Sequence, residues 1–525
     1  MSKVRSNTMT VPNIFSQRSL DLSREPVKLI NLTNQPHPSV VTFTTGTPIA
    51  TLHLSPLDML FDNYISVLLF YDAAEARSRP ARGLRTLPAA APIDLAEPVR
   101  RLQQALQELL VYFPCAAGLL VYNERDRRLE VRYPMSPPSD TQSCITSING
   151  DGHRVSSPYI AQDDGAIDAE SPAYGVHFHV AHANGCLADL GDVSLPQPAL
   201  DVLYPSKPTP NLDSKGHLLL PRFVMAFQIT TFKCGGFTLG HTCSHAYADG
   251  HTGAGFLQNL CSIARGAGLA NCLHPIPSRK AVINARDPPT ATMPHRPYIK
   301  TRNYYLEPPE SQRLRYGTAT RFKFTMVALE ALRVSATMPG KLKACSRNQA
   351  LVAVLWIAFA RVSLNVHGLP RSHDLNFWVP MNMRTRGLSM GYMGNALCEL
   401  HVLATLQELC ENSLAYVVDK IEKAMASLDV GEGLQSMVDY IEIQLRDGLT
   451  PSIEGLGMPS LVALPFYDTD CGWGAPMYVG RPSQQLRNRC VILDHPRAQA
   501  WNVLIVFASA EEHACFQESI AGYIC

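Results

Sequence analysis

The stretch from Cys234 to Gly250, CGGFTLGHTCSHAYADG, most constrains what this chain can fold into. It begins with a cysteine and two consecutive glycines, which favour a tight turn because glycine tolerates backbone angles that other residues avoid. The alternation of residue types from 237 to 244 then predicts a half-buried β-strand, paired with the apolar run before the turn. After it, apolar residues recur at helical spacing, with Asp249 at the N-cap position and Gly266 as a stop. His245 is therefore expected between the end of a strand and the start of a helix.

A histidine held rigidly at such a junction can act as a general base, because a neutral imidazole is available near pH 7. His245 is followed four residues later by Asp249 and then by Gly250, an HxxxDG arrangement. Taken alone, this spacing is a weak signal, since a buried histidine with a structural role gives the same pattern. A second feature strengthens it. Residues 470–474, DCGWG, place two glycines around a tryptophan, which lets the backbone approach a neighbouring segment closely.

Together these two features resemble the HxxxD and DFGWG signatures of the BAHD family of plant acyl-CoA-dependent acyltransferases. Four further segments are similar to family motifs and occur in the same order: YFPCAAG at 112–118, FKCGG at 232–236, NMR at 382–384 and YMGN at 392–395. The similarity therefore extends along nearly the whole chain. Within the family, the KCGGFTLG string is most similar to members that use hydroxycinnamoyl-CoA in specialised metabolism.

The resemblance implies an α/β fold of two similar-sized, chloramphenicol-acetyltransferase-like halves, with mixed sheets flanked by helices and a central channel. We expect a loose leader at 1–25, an N-terminal half at 26–267, a crossover loop at 268–320 and a C-terminal half at 321–525. Residues 134–172 are rich in Ser, Asp, Gly and Pro, which predicts a surface insertion longer than is usual in the family. A simple insertion is favoured there over a functional lid.

The resemblance also implies a reaction. His245 would take a proton from a hydroxyl or amine acceptor as the acceptor attacks the thioester of acyl-CoA. Both substrates would bind together, so that no acyl-enzyme forms, and acyl-CoA would be a co-substrate rather than a permanently bound cofactor. Asp249 would support the site by pairing with Arg384 instead of contacting the base. The remaining supporting residues implied by the resemblance are Asp470, Gly472, Trp473 and Gly474.

The second motif departs from the family pattern at one position. Cys471 stands where the family has phenylalanine. Because the change removes a large ring, we expect the surrounding side chains to repack. The motif is expected to shape the channel and the coenzyme site without touching the reacting atoms, so the general base is unaffected by this difference.

Two other interpretations of the central stretch are less favoured. Cys243 could be a nucleophile activated by His245, but residues two apart on a strand reach each other poorly, and a buried thiol usually packs as a small apolar group. His241 and His245 are four apart, as in zinc proteases, but Thr242 occupies the position where that motif needs glutamate.

Three histidines on or near one predicted strand are candidates for a metal site. Packing on the strand face is favoured, because no acidic or thiolate residue has matching spacing. No metal is therefore expected. The three histidines are His177, His179 and His182.

Composition excludes several classes of function. A formal net charge of +1 over 525 residues favours neither nucleic acids nor membrane surfaces. No apolar run approaches a membrane span, and the first 15 residues are too polar for a signal sequence. The 14 cysteines are scattered without a CxxC pair, so we expect reduced thiols in a cytosolic protein. Monomer is the default oligomeric state in the family.

Two alternatives to an acyl-CoA-dependent enzyme remain open. A condensation domain that accepts carrier-bound substrates would share the fold, but such domains usually have two adjacent histidines, and here Ser244 precedes His245. A non-catalytic BAHD-like scaffold or binding protein is the second alternative. The presence of His245, Asp249 and Arg384 argues against it without excluding it.

Overall fold

The computed structural model describes most of the chain. The described residues are 39–42, 49–61, 63–72, 96–123, 125–126, 128–135, 160–161, 174–195, 197–205, 222–270, 279–295, 298–299, 319–338, 340, 344–427, 431–451, 455–480 and 489–523. The expected leader at 1–25 lies outside them, as does the expected insertion at 134–172 except for 134–135 and 160–161.

The described residues form helices and strands, and several strands of the N-terminal half follow one another directly. The helices are α1 (Ala96–Tyr112), α2 (Pro198–Asp201), α3 (Gly250–Ala264), α4 (Met326–Ser335), α5 (Arg347–Asn365), α6 (Leu406–Glu411), α7 (Leu414–Ala426), α8 (Glu432–Arg446) and α9 (Ala510–Ile520). The strands are β1 (Ser39–Thr42), β2 (Ile49–His53), β3 (Tyr64–Tyr71), β4 (Leu119–Asn123), β5 (Arg128–Pro134), β6 (Ile160–Ala161), β7 (Gly175–Ala183), β8 (Arg222–Phe223), β9 (Met225–Phe232), β10 (Phe237–Ser244), β11 (Tyr298–Ile299), β12 (Ala319–Thr325), β13 (Asp374–Asn382), β14 (Leu397–Thr405), β15 (Thr450–Pro451), β16 (Leu456–Gly457), β17 (Tyr478–Gly480), β18 (Cys490–His495) and β19 (Ala500–Val506).

The N-terminal half is built on a mixed seven-stranded sheet, in the order β17-β3-β10-β9-β7-β1-β6. Strand β10 is central and runs antiparallel to both β3 and β9, whereas β7 and β9 are parallel. Helices α1 and α3 cover one face and close the N-terminal core. A second sheet, in the order β2-β5-β4-β8, contributes Leu52, Leu120 and Val131 to the same core.

Strand β10 is buried along its whole length, so the prediction of a half-buried strand was wrong. The segment 198–205 covers the face that we expected to be exposed. There the hydroxyl of Thr242 donates to the carbonyl of Pro205 at 3.3 Å. A Cβ atom at Gly240 would lie only 2.5 Å from the carbonyl oxygen of Leu203, so this close approach requires glycine.

The helix after His245 forms as the sequence predicts. The side chain of Asp249 accepts a hydrogen bond from the backbone N–H of Thr252 at 2.9 Å and so caps the N-terminus of α3. Gly266 follows the helix with a φ of 78°, a left-handed conformation that favours glycine. Strand β10 and helix α3 therefore fix the backbone on both sides of His245.

The C-terminal half packs six helices, α4 to α9, against two three-stranded sheets, in the orders β14-β13-β16 and β12-β19-β18. Its central helix, α5, begins with a capping box between Ser346 and Gln349, as expected from Ser346 at the N-cap. By length and composition alone, α5 is the one helix of the described residues that could cross a membrane. However, 61% of that stretch is buried, and its side chains belong to the C-terminal core.

Two predicted elements of this half differ in the structure. Helical spacing of apolar residues predicts one helix at 406–426, but the structure divides it into α6 and α7, because the side chain of Ser413 caps a new helix through the backbone N–H of Tyr416. The apolar run at 462–466 predicts a strand, but the structure has none at these residues. There Ala463 has a φ of 68°, and Pro465 begins a short 3₁₀ turn.

Residues of the C-terminal half complete the sheet and the core of the N-terminal half. Strand β17, far along the C-terminal half, pairs antiparallel with β3 and forms an edge of the N-terminal sheet. Phe466 and Val479 also belong to the N-terminal core. The boundaries at 267 and 320 stay predictions, but the structure shows that the halves share a sheet and a core.

Candidate active site

His245 lies directly after β10 and is held from the side of the N-terminal half. Its backbone N–H donates to the carbonyl of Asn63 at 2.7 Å. The ring of Phe61 stacks on its imidazole, with ring centroids 4.5 Å apart and an interplanar angle of 17°. These contacts restrict both the backbone and the ring of His245 from one short segment of the chain.

From the C-terminal half, Asn395 contacts the same histidine. The Oδ1 atom of Asn395 is 3.1 Å from Nδ1 of His245, and its Nδ2 atom donates to the carbonyl of His245 at 2.6 Å. Asn395 is the last residue of the YMGN segment and is fully buried. The site is thus assembled where the two halves meet.

Asp249 and Arg384 form a buried ion pair next to this site. The guanidinium donates to both carboxylate oxygens, at 2.7 and 3.4 Å, and both side chains have no exposed surface. Burial alone would raise the pKa of Asp249, but the Arg384 charge and hydrogen bonds from the backbone of Ala396 and Thr252 bring the pKa below its ordinary value. The carboxylate is therefore ionised, and these groups make all of its hydrogen bonds in the described part of the chain.

Arg384 also organises the segment that carries Asn395. Its side chain donates to the carbonyls of Tyr392 at 2.8 Å and Gly394 at 2.8 Å. Asp249 is therefore linked to His245 only indirectly, through Arg384, the 392–394 backbone and Asn395. This arrangement suits a residue that supports the site rather than one that relays a proton.

The DCGWG segment forms a tight loop remote from His245. The Oδ1 atom of Asp470 accepts from the backbone N–H groups of Gly472 at 2.8 Å and Gly474 at 2.9 Å. Both glycines have positive φ, 99° and 82°. Trp473 packs edge-on against Phe237 at the start of β10, with centroids 5.5 Å apart.

The whole of β10 separates this loop from His245. Phe237 begins the strand and His245 follows its end. Eight residues at about 3.3 Å each place them roughly 25 Å apart. The DCGWG loop and His245 therefore lie at opposite ends of β10.

Cys471, the residue that departs from the family motif, is fully buried against α3. Its sulfur lies at bonding distance from the sulfur of Cys261, and it is 3.7 Å from the hydroxyl of Tyr71. The expectation of separate reduced thiols is therefore wrong for this pair. Cys261 and Cys471 are both fully buried in the N-terminal core.

The structure disfavours the alternative centres near His245. Cys243 is fully buried between the sheet and α3, and burial, with a smaller contribution from Asp249, raises the pKa of its thiol to about 12. It is therefore protonated near neutral pH. His241 is also buried and packs against Phe227, and burial lowers its pKa to about 3.

The three histidines considered as metal ligands do not converge. His177 and His179 stack on one face of β7 with ring centroids 6.4 Å apart, whereas Nδ1 of His182 contacts the hydroxyl of Thr231 at 2.7 Å. Burial, and then the charge of His177, lower the pKa of His179 to about 4. Among the described residues, no group of three or more His, Cys, Asp or Glu side chains could hold a metal ion.

The sequence patterns did not identify Asp58 and Arg279 as residues of the site, and they predicted no role for Asn395. Asp58 is fully buried and contacts Asn395 and Arg279, residues 337 and 221 positions away. The LSPLD string at 54–58 predicts a turn, and the YMGN string at 392–395 is similar to a family motif, but neither pattern indicates a role in the site. No local pattern marks Arg279, because its partners come from distant parts of the chain.

Comparison with known proteins agrees with this architecture. A family model described as "Transferase family" matches residues 160–520, more than half of the chain. Shikimate O-hydroxycinnamoyltransferase of Nicotiana tabacum is 27% identical over 374 residues, which cover 69% of this chain and 82% of that protein.

Solved structures show the same fold. Vinorine synthase superposes with a TM-score of 0.60 at 18% identity, covering 94% of this chain and 98% of its own. TRI101 of F. sporotrichioides, solved with coenzyme A and T-2, also has a TM-score of 0.60, at 16% identity, covering 89% and 97%. With the family match and the HxxxD geometry, these findings show that the chain belongs to the BAHD family of acyltransferases.

Proposed function

We propose that this acyltransferase moves an acyl group from acyl-CoA to a hydroxyl or amine of a small molecule, with His245 as general base. The observation that carries the proposal is the fixed imidazole at the meeting of the two halves. Its ring is stacked on Phe61 at 4.5 Å and its Nδ1 side faces Asn395 at 3.1 Å. A base held in one orientation can remove a proton efficiently as the acceptor attacks.

The proposed reaction needs one base and no covalent enzyme intermediate. His245 takes the proton from the acceptor O–H or N–H as the new bond to the thioester carbonyl carbon forms. The tetrahedral intermediate then collapses, and the C–S bond breaks. The imidazolium returns its proton to the departing thiolate of coenzyme A. Both substrates must be bound at once for this sequence to operate.

An open cleft in the C-terminal half supports a donor that carries phosphates. The cleft has a volume of about 710 Å³, and its lining includes Arg333, Ser346, Arg347 and Trp501. It adjoins the N-terminus of α5, where the helix dipole favours negative charge. Arg333 and Arg347 lie beside this terminus, and both pair with Glu330, which also lines the cleft, so these three side chains carry one net positive charge. We propose that the phosphates of coenzyme A bind here. The coenzyme A complex of TRI101 shows that this fold can hold that donor.

The choice of acyl group is proposed from the relatives. The relative from Nicotiana tabacum is named for hydroxycinnamoyl transfer to shikimate. We therefore propose a hydroxycinnamoyl thioester as the first donor to test. The acceptor is proposed only as a class, a hydroxyl- or amine-bearing metabolite.

Thiol release by the purified protein tests this proposal. Acetyl-, malonyl-, benzoyl-, coumaroyl-, feruloyl- and long-chain acyl-CoA would each be combined with pooled alcohols and amines. We expect acceptor-dependent release of coenzyme A with a hydroxycinnamoyl thioester. Binding of coenzyme A would be measured in parallel by calorimetry. A folded protein that neither binds coenzyme A nor releases it would overturn the proposal and favour a non-catalytic scaffold.

A further inference from the structure

We propose that Asp58 is a positioning residue, which selects the protonated nitrogen of His245 through the side chain of Asn395. This inference rests on the proposed function in treating His245 as the base. It adds a residue that precedes the part of the chain matched by the family model, which begins at residue 160.

Asp58 is placed so that both of its oxygens only accept hydrogen bonds. Its Oδ2 atom accepts from the backbone N–H and the hydroxyl of Ser55, both at 2.8 Å. Its Oδ1 atom accepts from the guanidinium of Arg279 at 3.1 Å and from Asn395, at 2.9 Å from both the backbone N and Nδ2. Asp58 has no exposed surface, and Arg279 is 1% exposed. Five donors, one of them a buried guanidinium, surround the Asp58 carboxylate, so its oxygens act as acceptors at every one of these contacts.

This carboxylate fixes the orientation of the Asn395 amide. The amide group that faces Asp58 must be the NH₂ group, because a carboxylate offers no proton to an amide oxygen. The same NH₂ group donates to the backbone carbonyl of His245 at 2.6 Å, and that carbonyl is also only an acceptor. Two acceptors therefore hold Nδ2 on one side, and Oδ1 is directed towards the imidazole.

The orientation of the amide then selects the tautomer of His245. Oδ1 of Asn395 is 3.1 Å from Nδ1, and an amide oxygen can only accept. Nδ1 must therefore carry the proton in the neutral ring. The lone pair that can accept a proton from substrate is then on Nε2.

The segment that carries Asp58 also holds the ring and backbone of His245. Phe61 stacks on the imidazole, and the carbonyl of Asn63 accepts from the backbone N–H of His245 at 2.7 Å. One stretch, residues 55–63, thus orients the base from three directions. Asp58 sets the tautomer, whereas the other two contacts set the position of the ring.

Replacing Asp58 by a neutral amide weakens the constraint on Asn395, although the carbonyl of His245 still accepts from its Nδ2 atom. In Asp58→Asn the new side chain can donate as well as accept, so the Asn395 amide can turn and direct its NH₂ group at Nδ1. That arrangement favours the tautomer with the proton on Nε2, which cannot act as the base. We expect kcat to fall by about ten- to a hundredfold, the value of one charge-assisted hydrogen bond, with little change in KM.

The direct experiment is nitrogen NMR of protein labelled with ¹⁵N only in histidine, recorded without substrate. The His245 signals are assigned from their loss in His245→Gln. We expect the wild-type protein to show the Nδ1–H tautomer and Asp58→Asn to show a shift towards Nε2–H. Asp58→Asn/Arg279→Met serves as a second variant, because it removes the buried guanidinium that would lose its partner. Asp439→Asn is the matched control, since Asp439 is a buried carboxylate paired with Arg286 and lies in the C-terminal half.

The outcomes separate this inference from the proposed reaction. A wild-type His245 with its proton on Nε2 would overturn the inference without any variant. An unchanged tautomer in both Asp58 variants would also overturn it. The expected tautomers, found in a protein that transfers no acyl group from any donor tested, would support the inference while the proposed function fails.

Discussion

His245 and Asp249 are four residues apart, yet they face different partners. The histidine faces Asn395 and Phe61, whereas the aspartate is turned to Arg384 and caps α3. Asp249 therefore joins three parts of the chain: the helix after His245, the 383–386 turn and Ala396, which directly precedes β14. We expect Asp249 to stabilise the site, and to affect the rate of acyl transfer only through that stability.

Asp249→Ala should destabilise the fold as well as abolish acyl transfer. The change leaves Arg384 charged and without its carboxylate in a fully buried position. Removing one partner of a buried pair typically lowers the free energy of unfolding by about 3–5 kcal/mol. Urea denaturation followed by tryptophan fluorescence measures this loss.

The control for this variant is Asp249→Leu/Arg384→Met, which removes both charges. We expect it to recover part of the stability but not the activity, because Arg384 also holds the 392–394 backbone. An Asp249→Ala protein with wild-type stability and no activity would contradict the supporting role and place Asp249 in the chemistry.

His241 should make the fold sensitive to acid. Its Nε2 atom has no hydrogen bond in the described part of the chain, and burial lowers its pKa to about 3. The unfolded chain takes up a proton here from about pH 6.5 downwards, whereas the folded chain cannot until much lower pH. Stability is therefore lost as pH falls through this window, by about 1.4 kcal/mol per pH unit.

His241→Leu should flatten that pH dependence and keep the stability at pH 7 equal or higher. Unfolding by urea at several pH values between 7 and 4 measures it. His367→Gln is the control, because His367 is an exposed residue next to Glu512. Equal slopes in His241→Leu and the wild-type protein would show that His241 is not the responsible group.

At the residue scale, sequence patterns located the groups whose role is local. Asp249, Gly266 and Ser346 act on backbone within a few residues of themselves, and all three were predicted in those roles. Asp58 and Arg279 act on residues more than 200 positions away. The spacing of residues along the chain does not predict contacts over such distances in sequence, so only the folded structure identifies these two residues.

At the scale of elements, helix α5 joins the C-terminal core to the proposed donor cleft. Its apolar side chains are buried around Trp356, while its first turn lines the cleft with Arg347. One helix thus places a charged N-terminus at the surface while the rest is anchored in the core. The position of the cleft follows from that anchoring.

Arg347→Ala should weaken binding of acyl-CoA without affecting the chemistry. We expect KM for acyl-CoA to rise several-fold, with kcat close to that of the wild-type protein. The N-acetylcysteamine thioester of the same acyl group lacks the nucleotide phosphates and serves as the control donor. Its kinetic constants should be the same for both proteins. An equal loss with both donors would place Arg347 outside a phosphate site.

Three elements show what periodicity leaves out. Strand β10 alternates like a half-buried strand, but residues 198–205 cover its second face. The apolar run at 462–466 predicts a strand, but Ala463 and Pro465 turn the backbone there. The apolar spacing at 406–426 predicts one continuous helix, but Ser413 caps a second helix within this range. The three differences arise from a segment packed on the strand, a backbone angle and a side-chain cap, none of which apolar spacing encodes.

At the scale of the whole molecule, the two halves are interdependent. Strand β17 completes the N-terminal sheet, and four buried residues from beyond position 320 belong to the N-terminal core. These residues are Met393, Phe466, Cys471 and Val479. The family resemblance predicted an α/β acyltransferase fold, and the solved structures similar to this chain agree with it. The exchange of a strand between the halves was not predicted, because three residues are too few to give a periodic signal.

Residues 1–320 expressed alone should therefore fail to fold cooperatively. The fragment would expose the edge of β3 and the core surface that the four residues cover. Circular dichroism during urea denaturation should show a broad transition, unlike the full-length chain. Adding residues 321–525 as a separate chain should restore a cooperative transition. A sharp transition for the fragment alone would show that the halves fold independently.

The central claim is that His245 acts as the base of acyl transfer. The most direct test is kcat/KM for the best donor and acceptor in His245→Gln, with His241→Gln as a histidine control on the same strand. We predict a fall of about 10²- to 10⁴-fold in His245→Gln with binding of coenzyme A retained, and near wild-type activity in folded His241→Gln. A His245→Gln protein that keeps activity within about threefold of wild type would contradict the claim, since a general base contributes far more than that.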